Sequence, residues 1–309
     1  LRMSRGLGDV YKRQYFNRRI LQEAAKEQVP LLDRLSFLGI YSNNLDEFFR
    51  VRMATLSRIA ECEDRSLQSE REHARHLIRQ INRLNNQYSK EYELVIREVT
   101  RQLGEENIYL LKEDELNECQ QEFVRRFYRQ RLSGFVSPVW LSAVKQLTDE
   151  TDENIYLAVK MRSEAKKGID YALIALPVTE CGRFVRLPDE NGKSYLMYLD
   201  DVIRYCLSMI FSGLSYASFK AYAFKFTKDA EMEIDNDLRN GMLQKISKGV
   251  KSRKSGDALR VIYDAEMPKD LLKRVMNKLN LDKLDTVLGG GRYHNHKDLM
   301  PFLTVAARI

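Results

Sequence analysis

Leu77-Ile78-Arg79-Gln80-Ile81-Asn82-Arg83-Leu84-Asn85-Asn86-Gln87-Tyr88 repeats apolar side chains every three or four positions, the spacing of one helical face. Val95 and Val99 carry the repeat onward with Arg, Glu, Gln and Asn between them, and no Pro or Gly interrupts Ser66 to Gln102. Such a run predicts one long helix packed in an antiparallel or coiled-coil-like manner. Gly104 is its expected stop.

Outward from this helix toward the N-terminus the pattern stays helical. Leu21, Ala24 and Ala25 mark one short amphipathic face, and Pro30 suits the first turn of a helix over Leu31 to Ile40. Ser42-Asn43-Asn44 is expected to break that helix and to cap the next, Leu45 to Ala60. Toward the C-terminus, Ile108 to Leu111 reads as a short strand and Asp114 to Arg131 as a helix. The period then changes to two. Residues 155–159 and 171–176 read as strands around the polar turn at 164–168, and residues 184–187 and 195–198 as a second pair. A helix over Leu199 to Phe211 follows, then a strand at Ala221 to Phe226. Helices near Asp235–Lys251 and Pro268–Lys278 flank a strand at Leu259 to Tyr263. The fold class is therefore α+β: an all-α N-terminal bundle with a long helix, then an α+β domain with a largely antiparallel sheet. The expected divisions are a non-native tail at 1–14, a helical domain at 15–107, an α+β domain at 108–302, and a truncated or non-native end at 303–309.

The tail is set apart because Leu1 to Gln14 shows no apolar period. Its run Asp9-Val10-Tyr11-Lys12-Arg13-Gln14 resembles the translation of a transposon adapter used in library preparation.

Of the 309 residues, 44% are apolar and 31% charged, which suits packed helical domains and excludes wholesale disorder. The net charge of +7 leans toward anionic partners. No apolar run reaches the roughly 20 residues of a membrane span. The four cysteines, Cys62, Cys119, Cys181 and Cys206, form no CxxC pair and read as buried reduced thiols. The four histidines, His73, His76, His294 and His296, form no zinc signature with them.

Three segments draw attention as anion sites. Asn44, at the expected helix start, offers an amide donor beside free backbone N–H groups. Plain capping by Ser42 or Asn43 is the simpler account from the residues alone. Asp46 and Glu47 would sit on the first helical turn, where they act on the helix dipole rather than as acid–base catalysts. Lys245, Lys248, Lys251, Arg253 and Lys254 form a basic run able to hold a polyanion, with a solvated helix end as the competing account. Gly290-Gly291 is only weakly like a phosphate-cradling turn.

Phe16-Asn17-Arg18-Arg19-Ile20-Leu21, Pro30-Leu31-Leu32-Asp33-Arg34-Leu35 and Phe37 to Arg52, which contains Ser42-Asn43-Asn44-Leu45-Asp46-Glu47-Phe48-Phe49, resemble in order the opening of the long bacterial polyphosphate kinases. Leu199-Asp200-Asp201-Val202-Ile203-Arg204-Tyr205, Phe226-Thr227-Lys228-Asp229 and Gly290-Gly291-Arg292-Tyr293-His294-Asn295 resemble that family's second, or head, domain. The likeness runs from Phe16 to about Phe302. His296 stands where the family pattern has Phe, and the family's Leu-Ser-Trp-like lead-in is missing before Phe16.

The resemblance implies a four-domain parent enzyme. It would transfer the ATP γ-phosphate reversibly to inorganic polyphosphate through a phosphohistidine, with magnesium. The nucleophilic histidine, its partner and the magnesium- and phosphate-binding side chains would lie in two C-terminal domains not present here. No catalytic residue and no metal ligand is expected within this chain, which alone should be inactive. Asn44 is the one functional residue carried over, as a nucleotide contact, and His294 is expected to be structural. Implied partners are ATP or ADP, polyphosphate and a second copy in a homodimer or higher oligomer, with no nucleic acid. The implied location is the cytoplasm, with room for peripheral membrane association. A non-catalytic polyanion- or nucleic-acid-binding helical protein is the alternative.

Overall fold

The computed structural model describes residues 14–62, 64–147, 154–163, 168–228, 258–279, 281, 285–300 and 302. The tail at 1–13, the turn at 164–167, the helix expected at 235–251, the basic run Lys245 to Lys254 and the end at 303–309 lie outside the described residues. Gln14, placed by the sequence in the non-native tail, is helical and only 5% exposed. It shares a buried face with Asn17, Leu21 and Ala24, at helical spacing.

Helices come first: α1 (residues 14–24), α2 (Leu31–Glu47), a π-helical segment (Phe48–Met53), α3 (Ala54–Glu61) and α4 (Gln68–Glu105). The long periodic segment is α4, which buries Ala74, Leu77, Ile78, Ile81, Tyr88, Tyr92, Val99 and Leu103. These pack with Leu35 and Leu38 of α2 and Leu56 of α3.

The expected break at Ser42-Asn43-Asn44 is absent: the chain stays helical from Leu31 to Glu61. The helix propensities of one Ser and two Asn disfavour this by at most about 2 kcal/mol in total. Against that, Tyr41, Leu45, Phe48 and Phe49 are all buried on the same continuous helix, each burial contributing roughly 1.5–3 kcal/mol. Packing overrides the local preference.

The sheet-containing part holds β1 (Ile108–Leu111), α5 (Glu118–Phe127), β2 (Val139–Trp140), β3 (Tyr156–Ser163), β4 (Ile169–Ala175), α6 (Val178–Cys181), β5 (Phe184–Arg186), β6 (Ser194–Tyr198), α7 (Leu199–Tyr205), α8 (Leu207–Ile210), β7 (Tyr216–Lys228), β8 (Ala258–Asp264), α9 (Lys269–Met276) and β9 (Thr286–Gly290). Helix α5 starts later than Asp114 because Asn117 closes a capping box with Gln120. The helix expected over Leu199 to Phe211 is interrupted at Cys206.

One sheet has the order β1-β6-β5 and the other β2-β4-β3-β7-β8-β9. Pairing is antiparallel except for β1 with β6 and β8 with β9. Strand β3 alternates as a central strand must. Leu157, Val159 and Met161 enter a core with α7 and α8, while Tyr156 and Ala158 enter the other with Leu271 and Val275 of α9.

Helices and sheets share a core. Phe184, Leu196, Tyr198, Leu299 and Phe302 pack among the side chains of α2 and α4. A Cβ at Gly39 would lie 2.7 Å from Met300 Cγ, so only glycine admits this approach. The thiols are free, but Cys119 is exposed and Cys181 half-buried, so burial holds for Cys62 and Cys206 alone. Cys119 sits on the solvent side of the first turn of α5, where no core reaches it. No helix among the described residues is long and apolar enough to cross a membrane.

Candidate functional site

Asn44 lies in the last turn of α2, not at a helix start. The free N–H groups expected beside it are therefore engaged in the helix, and the dipole argument for an anion there does not hold. What Asn44 offers is its side chain. With Phe16, Asn17, Glu47, Phe48, Val51 and Arg52 it lines an open hollow of about 350 Å³. Its amide has no hydrogen-bond partner among the described residues, and Arg52 has no ion-pair partner among them. Phe16 is 61% exposed at the rim, whereas Asn17 is buried with its Oδ1 unpartnered. A flat ring, an amide edge and a guanidinium thus face one space. The π-helical turn helps to make it, since its wider winding alters which side chains share a face.

Asp46 does not act on a helix dipole. It faces inward, where Lys225 of β7 bonds its Oδ2 and Arg260 Nη1 of β8 lies 3.1 Å from its Oδ1. Burial penalises the carboxylate, yet the Lys225 and Arg260 charges hold its pKa below the ordinary value. Glu47, next along, is exposed and lines the hollow.

Between α2, α4 and strands β7 to β9 lies a small cavity of about 60 Å³, reached by Asp46, Lys225, Arg260 and the segment after β9. In that segment Gly291 N donates to Glu93 Oε1 at 3.1 Å, and a Cβ on Gly291 would lie 2.6 Å from Glu93 Oε2. Gly290-Gly291 therefore docks a carboxylate of the chain itself rather than a phosphate. Arg292 reaches Glu113 and Asp201, and the Tyr293 hydroxyl donates to Asp201 at 2.6 Å.

His294 is 4% exposed and its Nε2–H donates to Ala223 O at 3.2 Å. Burial, with His296 and two arginines nearby, pulls its pKa down to about 3, so the ring is neutral. His296 Nε2–H donates to Tyr293 O at 3.0 Å, and burial holds its pKa at about 4. His73 and His76 are exposed on α4. Among the described residues no group of three or more His, Cys, Asp or Glu could hold a metal ion.

His294 and His296 set an acid limit on stability. An unfolded histidine titrates near 6.5, so as pH falls below 6.5 the unfolded chain takes up protons that the folded rings refuse. The contribution is complete above pH 6.5 and is lost toward the folded values of about 3 and 4. His296→Phe is expected to remove one of the two terms, about 1–2 kcal/mol at pH 5. The check is the gap in thermal midpoint between pH 7.5 and pH 5, which should narrow in the variant; an unchanged gap refutes it.

Lys225, Arg260, Asp201 and Arg292 were not singled out by sequence reasoning. One signal was available: Lys225 stands between Phe224 and Phe226, and Arg260 precedes Val261-Ile262. A charge inside an apolar strand demands a buried partner.

A family model described as the polyphosphate kinase N-terminal domain matches residues 13–111, and one described as the polyphosphate kinase middle domain matches residues 119–302. Polyphosphate kinase of Vibrio parahaemolyticus is 36% identical over 301 residues, covering 94% of this chain and 42% of the relative. That of Escherichia coli strain K12 is 35% identical over 296 residues, with the same coverages of 94% and 42%. The crystal structure of polyphosphate kinase from Porphyromonas gingivalis superposes with a TM-score of 0.72 at 25% identity, covering 93% of this chain and 39% of that one. The chain thus spans about two fifths of the length of the relatives it matches.

Proposed function

Since the chain belongs to the polyphosphate kinase family, we propose that it forms the nucleotide-touching part of an enzyme that moves the ATP γ-phosphate reversibly onto inorganic polyphosphate. The carrying observation is the Asn44 amide, without a partner among the described residues, on a hollow that Phe16 and Arg52 also line. In this reading Asn44 meets the polar edge of the base, Phe16 and Phe48 flank its ring, and Arg52 draws the phosphates. Phosphoryl transfer rests on positioning and charge neutralisation, so a subunit that orients the nucleotide raises the rate without supplying a nucleophile. The phosphohistidine and magnesium belong, in the same reading, to the remainder of such an enzyme, and its place is the cytoplasm. His294 holds the fold in this reading, because the hydrogen-bond partner of its ring among the described residues is a backbone carbonyl and its proton affinity is suppressed.

Asn44→Ala tests this directly. It removes a neutral donor and leaves no buried charge, so ATP affinity should fall by about 0.5–1.5 kcal/mol, roughly 2- to 13-fold. Calorimetric titration of the chain with ATP gives the affinity, and a melt gives the midpoint. Unchanged affinity in the variant refutes the nucleotide reading.

The homodimer has its own observation. Phe135, Val139, Trp140, Ile169 and Leu214 are each 39–53% exposed; Val139 and Trp140 make up β2, which pairs with β4, the strand that Ile169 opens. Exposed apolar side chains beside a sheet edge suit an interaction surface, and β2 is the sheet's edge strand. We place the second copy there. Val139→Lys with Ile169→Lys should weaken self-association at least about 10-fold, as read by sedimentation equilibrium. A wild-type chain that is monomeric at all concentrations refutes the dimer.

A further inference from the structure

We propose that Asp46 is the positioning residue of the Asn44 hollow: two cations of the sheet hold its carboxylate, and through it the helical turn that presents Asn44. The proposal rests on the nucleotide reading above and adds to it the part of the fold that sets the site's geometry.

Three observations carry it. Asp46 and Asn44 are two positions apart on one helix, about 200° around its axis, so one side chain faces the sheet while the other faces the hollow. The partners of Asp46 are distant in sequence, Lys225 by 179 residues and Arg260 by 214. Their side chains are each 4% exposed, against 15% for Asp46. The contact is thus a buried tie between helical and sheet parts.

The second observation is the path from the cations to the hollow. The Arg260 guanidinium lies 4.6 Å over the ring of Phe49, which is fully buried. Phe49 in turn meets Phe48 edge-on, with centroids 5.7 Å apart and planes at 83°. Phe48 lines the hollow beside Asn44. Asp46 before the π-helical turn and Phe49 within it therefore both rest on the same arginine.

The third is charge. Lys225 and Arg260 both pair with the single carboxylate of Asp46, with Asp298 a further acidic group acting on Lys225, and Arg260 Nε has no hydrogen-bond partner among the described residues. Loss of the Asp46 carboxylate would take from two buried cations the anion that they share. A π-helical turn is a rare interruption of regular helix, frequent at functional sites. With the anchor gone, it should relax toward regular helix and rotate Asn44, Phe48 and Arg52 out of alignment.

The test compares four variants of the chain by ATP titration and thermal midpoint, with affinity expressed per folded molecule. Asn44→Ala reports on the hollow itself. Asp46→Asn is expected to weaken ATP at least about 10-fold although Asp46 does not line the hollow. Asp46→Glu keeps the charge but lengthens the tie by one methylene. It should recover most of the midpoint lost in Asp46→Asn, yet still bind ATP several-fold more weakly than wild type. Lys225→Met leaves one cation on one anion, should stay folded, and should weaken ATP less than Asp46→Asn. A merely structural Asp46 would show affinity and midpoint recovering together in Asp46→Glu, and that overturns the proposal. Wild-type affinity in both Asp46→Glu and Lys225→Met overturns it even if Asp46→Asn fails to fold. If Asn44→Ala binds as wild type, the hollow reading falls and the positioning role with it. If Asn44→Ala is weakened while the Asp46 and Lys225 variants are not, only the positioning role falls.

Discussion

Asp201→Asn is expected to destabilise the chain by about 3–5 kcal/mol. Asp201 is fully buried. It accepts from Arg204 Nη1 at 2.7 Å, from Arg292 Nε at 3.2 Å and Nη2 at 3.0 Å, and from the Tyr293 hydroxyl at 2.6 Å. Arg204 is 3% exposed and its Nη2 already lacks a partner. An Asn in place of Asp keeps one acceptor but turns an NH₂ group toward guanidinium donors, and it removes the negative charge between them. The segment from Arg292 to His296 should loosen from the sheet as a result, and with it the junction between helices and strands. Chemical denaturation of wild type and variant measures the loss. A difference below about 1 kcal/mol, the size of an ordinary hydrogen bond, would show that the arginines find other partners and refute this account.

Phe49→Ala should cost a similar amount, about 3–5 kcal/mol, by cavity formation. Its ring is fully buried in the helical core. The variant also removes the surface on which Arg260 rests, 4.6 Å from the ring centroid, a contact worth about 2 kcal/mol when desolvated. Phe49→Leu separates the two effects. It fills most of the volume, so it should restore most of the packing, but it offers Arg260 no π face. Thermal melts of both variants give the comparison. Equal stability of Phe49→Ala and wild type would mean that the π-helical turn collapses to fill the space.

The long helix α4 was legible because its signal is local: each apolar side chain has its counterpart three or four residues away. The alternation in β3 and β4 was legible for the same reason, at period two. Family membership was legible from the order of motifs such as Phe16-Asn17-Arg18-Arg19 and Gly290-Gly291-Arg292-Tyr293-His294-Asn295. The two-residue strand β2 was missed because so short a run has no period. Strand β9 was missed because Thr286-Val287-Leu288-Gly289-Gly290 ends in two glycines and pairs in parallel with β8.

The helix through Ser42-Asn43-Asn44 shows where local reading stops. Those residues by themselves favour a cap, by at most about 2 kcal/mol, and sequence reasoning could weigh only that. The opposing term is the burial of Tyr41, Leu45, Phe48 and Phe49 against side chains of α4 and the sheet, which exists only once the chain has folded back on itself. The same holds for charge. From the sequence, Asp46 was one carboxylate on a helix, with nothing to distinguish it from Glu47. Its role appeared only when β7 and β8 brought Lys225 and Arg260 against it from 179 and 214 residues away. Periodicity and propensity are properties of neighbours along the chain and could be read from the sequence. The partner of a buried charge is set by the register of distant strands, so only the tertiary structure could decide it.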